Sequence, residues 1–205
     1  MSLQYLPESH GFVEAIVGPM YAEKTTILMS QLRKEVIAGK RVMVFKPDID
    51  DRYATEEIVT HDGESMHANS IPCSHSSHIL EIIHDSVDVV GIDEGQFFDE
   101  GLVQVVEELA NRGKRVIVAG VDMDYRCLPW PPMNDIMAIA EVVHKQTAVC
   151  ASCGRPATKI QRFTKGRLSA WDEPTVAVGS NIEGDIHKYE ARCRKCYKTP
   201  PKLVK

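Results

Sequence analysis

The segment Gly18-Pro19-Met20-Tyr21-Ala22-Glu23-Lys24-Thr25 organises the rest of this chain. It follows the apolar run Phe12–Val17, which predicts a buried strand, and it precedes residues 26–34, which predict a helix. A strand, a loop opened by glycine and a helix that begins near Lys-Thr form the context in which G-x-x-x-x-G-K-[ST] indicates nucleotide binding. Backbone N–H groups of such a loop, with the helix N-terminus, attract phosphate oxygens. We therefore predict a phosphate loop from Gly18 to Thr26, with Lys24 on the phosphates and Thr25 on Mg²⁺.

Glu23 departs from this pattern, which asks for glycine immediately before the lysine. Glycine at such a site allows backbone angles that other residues avoid and a close approach to phosphate. A glutamate charge ~5 Å from a phosphate charge would be repelled by about 3 kcal/mol at an effective dielectric constant of ~20. We therefore interpret the segment as a variant phosphate loop. A chance match at a helix start is the alternative.

The composition is that of a globular protein with one full domain and a small appendage, since the 205 residues are 43% hydrophobic and 26% charged. No apolar run approaches the ~20 residues of a membrane span, and residues 1–10 lack the basic and apolar regions of a secretory signal. The net charge is −5, and no basic stripe with interleaved aromatic residues occurs. We therefore expect a cytoplasmic protein whose partners include neither a membrane nor nucleic acid.

A second motif, Val87–Glu94, is an apolar strand that ends in two acids, which is the form of a Walker B strand. Carboxylates at the carboxyl end of a parallel strand lie in the crevice where open α/β sheets bind ligands. We therefore predict that Asp93 holds Mg²⁺ and that Glu94 acts as general base toward an acceptor hydroxyl. Two acids that merely end a strand are the alternative.

Strands alternate with helices along the first part of the chain, which predicts a mostly parallel α/β sheet with right-handed crossovers. The polar stretch 47–70 predicts a lid or binding loop, or else a disordered segment. Within it, Arg52 is a candidate phosphate clamp, and a solvated surface arginine is the alternative. The predicted strands are 12–17, 41–47, 87–94, 115–121 and 142–149, and the predicted helices are 26–34, 76–85, 99–112 and 134–141.

Tyr125 and Trp130 lie on a proline-rich loop, residues 122–134, directly after the predicted strand 115–121. Aromatic rings on a loop at the carboxyl edge of a sheet can form a slot for a nucleobase. Ordinary loop packing explains the same two residues equally well.

Two C-x-x-C pairs mark the C-terminal part of the chain, Cys150 with Cys153 and Cys193 with Cys196. Such pairs bring four thiolates to one tetrahedral Zn²⁺ and leave no open coordination position, so the predicted zinc is structural. Two disulfides or a redox dithiol are the alternatives. We place the domain boundary here, with a nucleotide-binding domain at 1–149 and a zinc-binding domain at 150–205.

The motifs occur together in a particular order: the variant phosphate loop, Asp-x-Arg-Tyr at 50–53, Asp-Glu-Gly-Gln-Phe-Phe at 93–98 and the four cysteines. In this combination the chain resembles the zinc-containing thymidine kinases of animal cytosol and many bacteria, from about Gly11 to Tyr197. The resemblance implies a RecA-like parallel α/β domain with helices on both faces, and a small zinc ribbon that carries a lasso loop. It also implies transfer of the ATP γ-phosphoryl group to the 5′-hydroxyl of thymidine or deoxyuridine, with Mg²⁺.

The resemblance assigns roles to matching residues. Lys24 would serve the phosphates, and Arg52 would clamp phosphate from the lid. Asp93 would help to hold Mg²⁺ through water, and Glu94, next to Gln96, would accept the proton of the 5′-hydroxyl. The nucleoside pocket would be apolar, with main-chain groups of the lasso at the polar edge of the base. Its matching positions are Met20, Phe97, Val121, Tyr125, Trp130, Thr158, Val178, Gly179 and Tyr189.

Three departures from the family pattern stand out: Glu23, Trp130 in place of a smaller aromatic residue, and a longer stretch from Gly179 to Lys188. The resemblance further implies a homotetramer and feedback inhibition by dTTP. Two other interpretations stay open at this point. One is another P-loop NTPase, and the other is a degenerate kinase that binds thymidine or dTTP without turnover, which Glu23 alone supports.

Overall fold

The computed structural model describes residues 10–49, 57–60, 63–175 and 187–202. Runs of β-branched and apolar residues form strands, and amphipathic segments between them form helices. In chain order the elements are β1 (Phe12–Val17), α1 (Lys24–Ile37), β2 (Val42–Asp48), β3 (Glu57–Val59), β4 (Ser65–His67), β5 (Asn69–Pro72), α2 (His78–Ile82), β6 (Val89–Ile92), a 3₁₀ turn (Gly95–Phe97), α3 (Leu102–Asn111), β7 (Arg115–Gly120), α4 (Met133–Ile139), β8 (Val142–Lys145), β9 (Ala148–Val149), β10 (Pro156–Ala157), β11 (Lys159–Thr164), β12 (Arg167–Leu168) and β13 (His187–Arg192).

The central sheet has six strands in the order β5-β2-β6-β7-β1-β8, and every neighbouring pair is parallel. The phosphate loop follows β1, and the two acids follow β6, so both motifs lie at the carboxyl edge of the sheet. Only β7 separates β1 from β6 in the sheet. The strand order therefore brings the two motifs to the same crevice, as Walker motifs require.

Helices cover both faces of the sheet, which confirms the predicted α/β class. Along β7, Val116 and Val118 pack into one core with α3 and α4, whereas Ile117 and Ala119 pack into a second core with α1. Successive side chains of a strand point to opposite faces, so a buried central strand supplies both cores. The near-continuous apolar run 115–121 is the sequence signature of this two-sided burial.

The stretch predicted as a lid contains secondary structure that the sequence analysis missed. β3 and β4 form a short antiparallel hairpin, and β5 pairs with β2 as an edge strand of the central sheet. Ile58 and Ala68 are buried against the core on the α1 side. These strands are only three or four residues long and mix polar with apolar residues, so the sequence shows no clear periodicity there. Arg52 lies outside the described residues.

The predicted strand 142–149 is wrong in its second half. Val142–Lys145 joins the central sheet beside β1, but Ala148–Val149 pairs antiparallel with Pro156–Ala157. The chain leaves the sheet at Gln146, whose N–H donates to the Val17 carbonyl at 2.7 Å. The pairing of β9 with β10 also favours a domain boundary a few residues before Cys150.

The C-terminal part adds a three-stranded antiparallel sheet in the order β12-β11-β13. β11 pairs along its whole length with β13, from Lys159 opposite Arg192 to Thr164 opposite His187. A small antiparallel ribbon therefore accompanies the four cysteines, and Val178 and Gly179 fall outside the described residues. Within the described ranges, none of the helices has the length and apolar character needed to cross a bilayer.

One buried charge in the central sheet was not expected from the strand pattern. Glu14 of β1 is completely buried, yet its carboxylate accepts from Arg115 at 2.6 Å and lies 2.7 Å from His144 Nε2. Arg115 also reaches Glu35 of α1 at 2.5 Å. A buried carboxylate requires such partners, so this network links β1, β7, β8 and α1 on one face of the sheet.

Candidate active site and metal centre

The predicted phosphate loop contains residues with positive φ angles at both ends. Gly18 has φ 153°, and a Cβ there would lie 2.7 Å from the Gln146 carbonyl oxygen, so only glycine fits. Glu23 takes φ 58° and ψ 25°, the left-handed conformation for which glycine is favoured. Its side chain is exposed. The departure at Glu23 is therefore accommodated by the backbone, and its carboxylate lies at the surface of the loop.

Lys24, Thr25 and Asp93 meet where α1 begins and β6 ends. Lys24 is buried and its Nζ donates to the Pro19 carbonyl at 3.0 Å, so the ammonium lies within the loop. The Thr25 hydroxyl donates to Asp93 Oδ2 at 3.0 Å and lies 3.2 Å from Oδ1. The structure thus brings together the three side chains that the two motifs predicted for phosphate and Mg²⁺. Thr26 follows in the first turn of α1 and is half-buried.

The electrostatics of this corner favour a bound cation. Burial and the neighbouring Glu94 charge raise the pKa of Asp93 to about 7, against the hydrogen bond from Thr25. Burial lowers the pKa of Lys24, while Glu94, Asp93 and Asp122 oppose that shift. A hydroxyl and a buried carboxylate beside each other are hard oxygen donors of the kind that Mg²⁺ takes in P-loop proteins. Thr25 and Asp93 therefore fit Mg²⁺.

Glu94 has a left-handed backbone conformation beside this pair. Its backbone has φ 51° and ψ 40°, which is uncommon for a residue other than glycine and is often found at functional sites. Gln96 Nε2 donates to Glu94 Oε2 at 2.5 Å, and Gln96 Oε1 accepts from the Val121 N–H at 2.8 Å. Gln96 is buried and bridges the end of β6 to the end of β7, so it fixes the Glu94 carboxylate.

An open cleft of about 290 Å³ lies in front of the acids. Thr25, Asp93 and Glu94 line it together with the end of β2, strand β3 and Ser70 of β5. Lys46 of β2 donates to the Glu57 carbonyl at 3.0 Å, which ties the β3–β4 hairpin to the sheet. The acids therefore face a space that a phosphate chain can enter.

The predicted nucleoside pocket corresponds to an apolar cluster that we call the aromatic cluster. Its buried members are Val121, Tyr125 and Ile160, and Met20, Trp130 and Tyr189 pack against them. Phe97 meets Trp130 edge to face, with ring centroids 5.8 Å apart. Six of the predicted pocket residues are thus neighbours, although they come from four separate segments.

The three other predicted pocket positions are Thr158, Val178 and Gly179. Thr158 is half-buried at the junction of β10 and β11. Ile160, two residues later, packs directly with Val121 and Tyr125, and the sequence analysis missed it. The sequence carries little signal for it, since β11 mixes the apolar Ile160 and Phe163 with four polar residues. Val178 and Gly179 lie outside the described residues.

The four predicted metal ligands converge. The Sγ atoms of Cys150, Cys153, Cys193 and Cys196 all lie within 4.8 Å of one another, and Cys153 and Cys193 are 3.6 Å apart. Tetrahedral Zn²⁺ with bonds of ~2.3 Å places its sulfurs roughly 3.8 Å apart. All six cysteines of the chain are free thiols, so the cluster is not a pair of disulfides. The geometry fits a structural Zn²⁺.

The environment of the cluster favours thiolate and connects it to the phosphate loop. Backbone hydrogen bonding from Cys193, against some burial, lowers the pKa of Cys150 to about 6. Thiolate is the form that ligates zinc. Ala22 of the phosphate loop packs in the same small apolar cluster as Cys150 and Cys193. The metal centre is therefore a support for that loop as well as for the ribbon.

A comparison with known protein families gives one match that covers nearly the whole chain. The family described as thymidine kinase matches residues 11–197. The chain belongs to the thymidine kinase family. The four-cysteine cluster agrees with the zinc-containing type within that family.

Membership of the thymidine kinase family suggests how the phosphate loop and its acids relate to the aromatic cluster. The phosphate loop, Asp93 and Glu94 suit a phosphate donor, and the aromatic cluster suits a planar apolar acceptor. Met20 belongs to the phosphate loop and to the aromatic cluster, and the Tyr21 hydroxyl donates to the Tyr189 carbonyl at 3.4 Å. The phosphate loop and the aromatic cluster are therefore in direct contact.

Proposed function

We propose that this thymidine kinase family member transfers the γ-phosphoryl group of ATP to the 5′-hydroxyl of thymidine or deoxyuridine. The bridge made by Gln96 carries the proposal. Its amide nitrogen donates to the Glu94 carboxylate, and its amide oxygen accepts from the Val121 N–H. Val121 belongs to the aromatic cluster. A single buried side chain thus ties a candidate base to a candidate nucleoside pocket.

On the donor side, the loop from Gly18 to Thr26 would bind the triphosphate through backbone N–H groups and the Lys24 ammonium. Thr25 and Asp93 would hold Mg²⁺, which when bound neutralises charge on the phosphate oxygens. Arg52 would add a guanidinium from the stretch before β3. The Lys24 ammonium already lies within the loop, where it donates to the Pro19 carbonyl. It could therefore bind a phosphate with little movement of the main chain.

On the acceptor side, Glu94 would take the proton of the 5′-hydroxyl as that oxygen attacks the γ-phosphorus. Phosphoryl transfer asks the protein chiefly for positioning and charge neutralisation. The Gln96 amide supplies the positioning, since it leaves the carboxylate few alternative orientations. Gln96 is therefore assigned a positioning role and Glu94 the catalytic one.

The aromatic cluster would hold the base. Tyr125, Trp130 and Phe97 supply flat surfaces, and Met20, Val121 and Ile160 supply apolar ones. Such a slot suits a pyrimidine, and main-chain groups of the segment before β13 would meet its polar edge. A purine would be too large for this space.

The competing interpretations have less support. The exposed Glu23 side chain weakens the case for a degenerate binding protein, because the repulsion expected from that charge requires proximity to phosphate. A general P-loop NTPase gives no reason for the aromatic cluster beside Glu94. Three expectations from the family resemblance complete the proposal: a homotetramer, feedback inhibition by dTTP and a cytoplasmic location.

Nucleoside-dependent ADP release tests the proposal. Purified protein with Mg·ATP should release ADP when thymidine or deoxyuridine is added, and much less with a purine deoxynucleoside. Single-stranded DNA should give no stimulation. ADP release that ignores thymidine, or that rises with DNA, would favour the general NTPase instead.

A further inference from the structure

We propose that Arg162 is a positioning residue for nucleoside binding and that it acts by fixing the ring of Tyr125. The inference rests on the proposed function, because it takes the aromatic cluster as the nucleoside pocket. Arg162 lies on β11 in the C-terminal part of the chain, and Tyr125 lies on the loop after β7. The pair therefore connects the module of the four cysteines to the pocket.

Arg162 is an unusual residue in this structure because a full positive charge is buried with only 1% of its surface exposed. Its guanidinium carbon lies 3.8 Å from the centroid of the Tyr125 ring. Arginine that stacks on an aromatic face is attracted by the ring quadrupole, and the attraction grows when both groups are desolvated. One face of Tyr125 is thus covered by a group that cannot easily move.

The hydrogen bonds of Arg162 fix the guanidinium in turn. Nε donates to Ser169 Oγ at 3.1 Å, Nη1 to the Pro174 carbonyl at 2.5 Å and Nη2 to Glu173 Oε2 at 3.2 Å. The Glu173 carboxylate also accepts from Thr164 Oγ1 at 2.6 Å. The fork of donors on arginine suits this set, and it holds the 169–174 segment against β11.

The other end of Tyr125 is held by the same segment. Its hydroxyl lies within hydrogen-bonding distance of three carbonyl oxygens, at 2.8 Å from Ala170, 2.9 Å from Glu173 and 3.2 Å from Trp171. The Tyr197 hydroxyl, next to the metal ligand Cys196, donates to the Tyr125 carbonyl at 2.9 Å. The face, hydroxyl and backbone of Tyr125 are therefore all restrained from the C-terminal module.

These restraints have a consequence for binding. Tyr125 packs with Val121 and Ile160, so the position of its ring helps to set the shape of the aromatic cluster that the proposed function assigns to the nucleoside. A side chain that is already ordered before the ligand binds loses less conformational entropy on binding. Preorganisation of Tyr125 should therefore increase the affinity for the nucleoside. Arg162 contacts neither the phosphate loop nor Glu94 in any described interaction. Its loss should therefore change nucleoside binding more than phosphoryl transfer.

Steady-state kinetics and calorimetry on three variants of the full-length zinc-loaded protein test the proposal. Arg162→Lys keeps the charge but loses the planar fork, and Tyr125→Phe keeps the ring but loses the hydroxyl. Arg167→Lys is the matched control, since Arg167 is exposed on the neighbouring strand β12. Arg162→Lys and Tyr125→Phe should each raise the thymidine KM and Kd about tenfold, with kcat within about threefold and the ATP KM unchanged. Arg167→Lys should keep wild-type values.

Two results would overturn the proposal: thymidine KM and Kd within about twofold of wild type in Arg162→Lys, or a parallel change of kcat and both KM values. If Arg162→Lys fails to fold, Tyr125→Phe decides alone. The wild-type protein separates this inference from the proposed function. If the wild-type protein phosphorylates thymidine and the variants keep its thymidine KM and Kd, only the role of Arg162 is refuted. Thymidine binding without phosphorylation removes only the kinase activity, and no binding at all removes both.

Discussion

Glu94 is the residue on which turnover should depend most. Its carboxylate is half-buried, held by one amide and placed next to the Thr25–Asp93 pair. We predict that Glu94→Ala lowers kcat about 10²–10⁴-fold, because the 5′-hydroxyl loses its proton acceptor. Thymidine binding should stay nearly intact, since the aromatic cluster is unchanged. Glu100→Ala, at an exposed acid a few residues on, is the control. Near-normal turnover by Glu94→Ala would remove Glu94 as the base.

Asp93 should make the ligand-free protein less stable as the pH rises. Burial and the Glu94 charge raise its pKa from 3.8 to about 7 in the folded state. Between these two values the folded protein keeps a proton that the unfolded chain has lost. The unfolded state then binds fewer protons, so the free energy of unfolding falls by about 1.4 kcal/mol per pH unit from this group.

Urea denaturation across that pH window, on wild type and Asp93→Asn, measures the effect. The wild-type protein should lose stability relative to Asp93→Asn as the pH rises, and the difference should level off above pH 7. Asp85→Asn, at an exposed acid, should follow the wild type. A stability difference that does not depend on pH would show that Asp93 titrates normally.

At the scale of elements, the metal centre and the phosphate loop should respond together. Ala22 of the loop packs with Cys150 and Cys193, and Tyr21 reaches the Tyr189 carbonyl on β13. We predict one zinc per chain, and chelation should unfold the ribbon and weaken ATP binding, because binding energy at a structural zinc site is folding energy. Metal analysis, circular dichroism and nucleotide titration would follow the three effects.

Cys193→Ser and Cys73→Ser provide the matched pair for that experiment. Cys73 lies outside the cluster, and its thiol donates to the Asp48 carbonyl at 3.1 Å. Its variant should keep the metal, whereas Cys193→Ser should lose it. A metal-free preparation that retains the ribbon and binds ATP normally would contradict the structural role.

At the scale of the whole molecule, the sequence predicted the parts whose signal is local. The strands 12–17, 87–94 and 115–121 are buried on both faces, so their apolar runs are visible without knowledge of their partners. The two C-x-x-C pairs predicted a common metal site, because the short spacing within each pair lets both of its sulfurs reach one ion. The order of motifs along the chain was enough to place the Walker acids next to the phosphate loop.

The rest depends on partners far away in the chain. The edge strand β5 is only four residues long, and its pairing with β2 could not be read from the sequence. Glu14 and Arg162 are buried charges whose partners come from other elements, so no periodicity predicts them. The sequence also shows the Glu23 charge but not the exposure of its side chain, because exposure depends on how the loop folds.

The most direct measurement is thymidine phosphorylation with Mg·ATP by this chain and by Glu23→Gly, side by side. The backbone already holds Glu23 in the conformation favoured by glycine, and its side chain is exposed. We therefore predict that both proteins form dTMP, with kcat/KM values within about tenfold of each other. Activity in Glu23→Gly alone would mean that the charge disables an otherwise correct site. Failure of both proteins to phosphorylate thymidine would contradict the account.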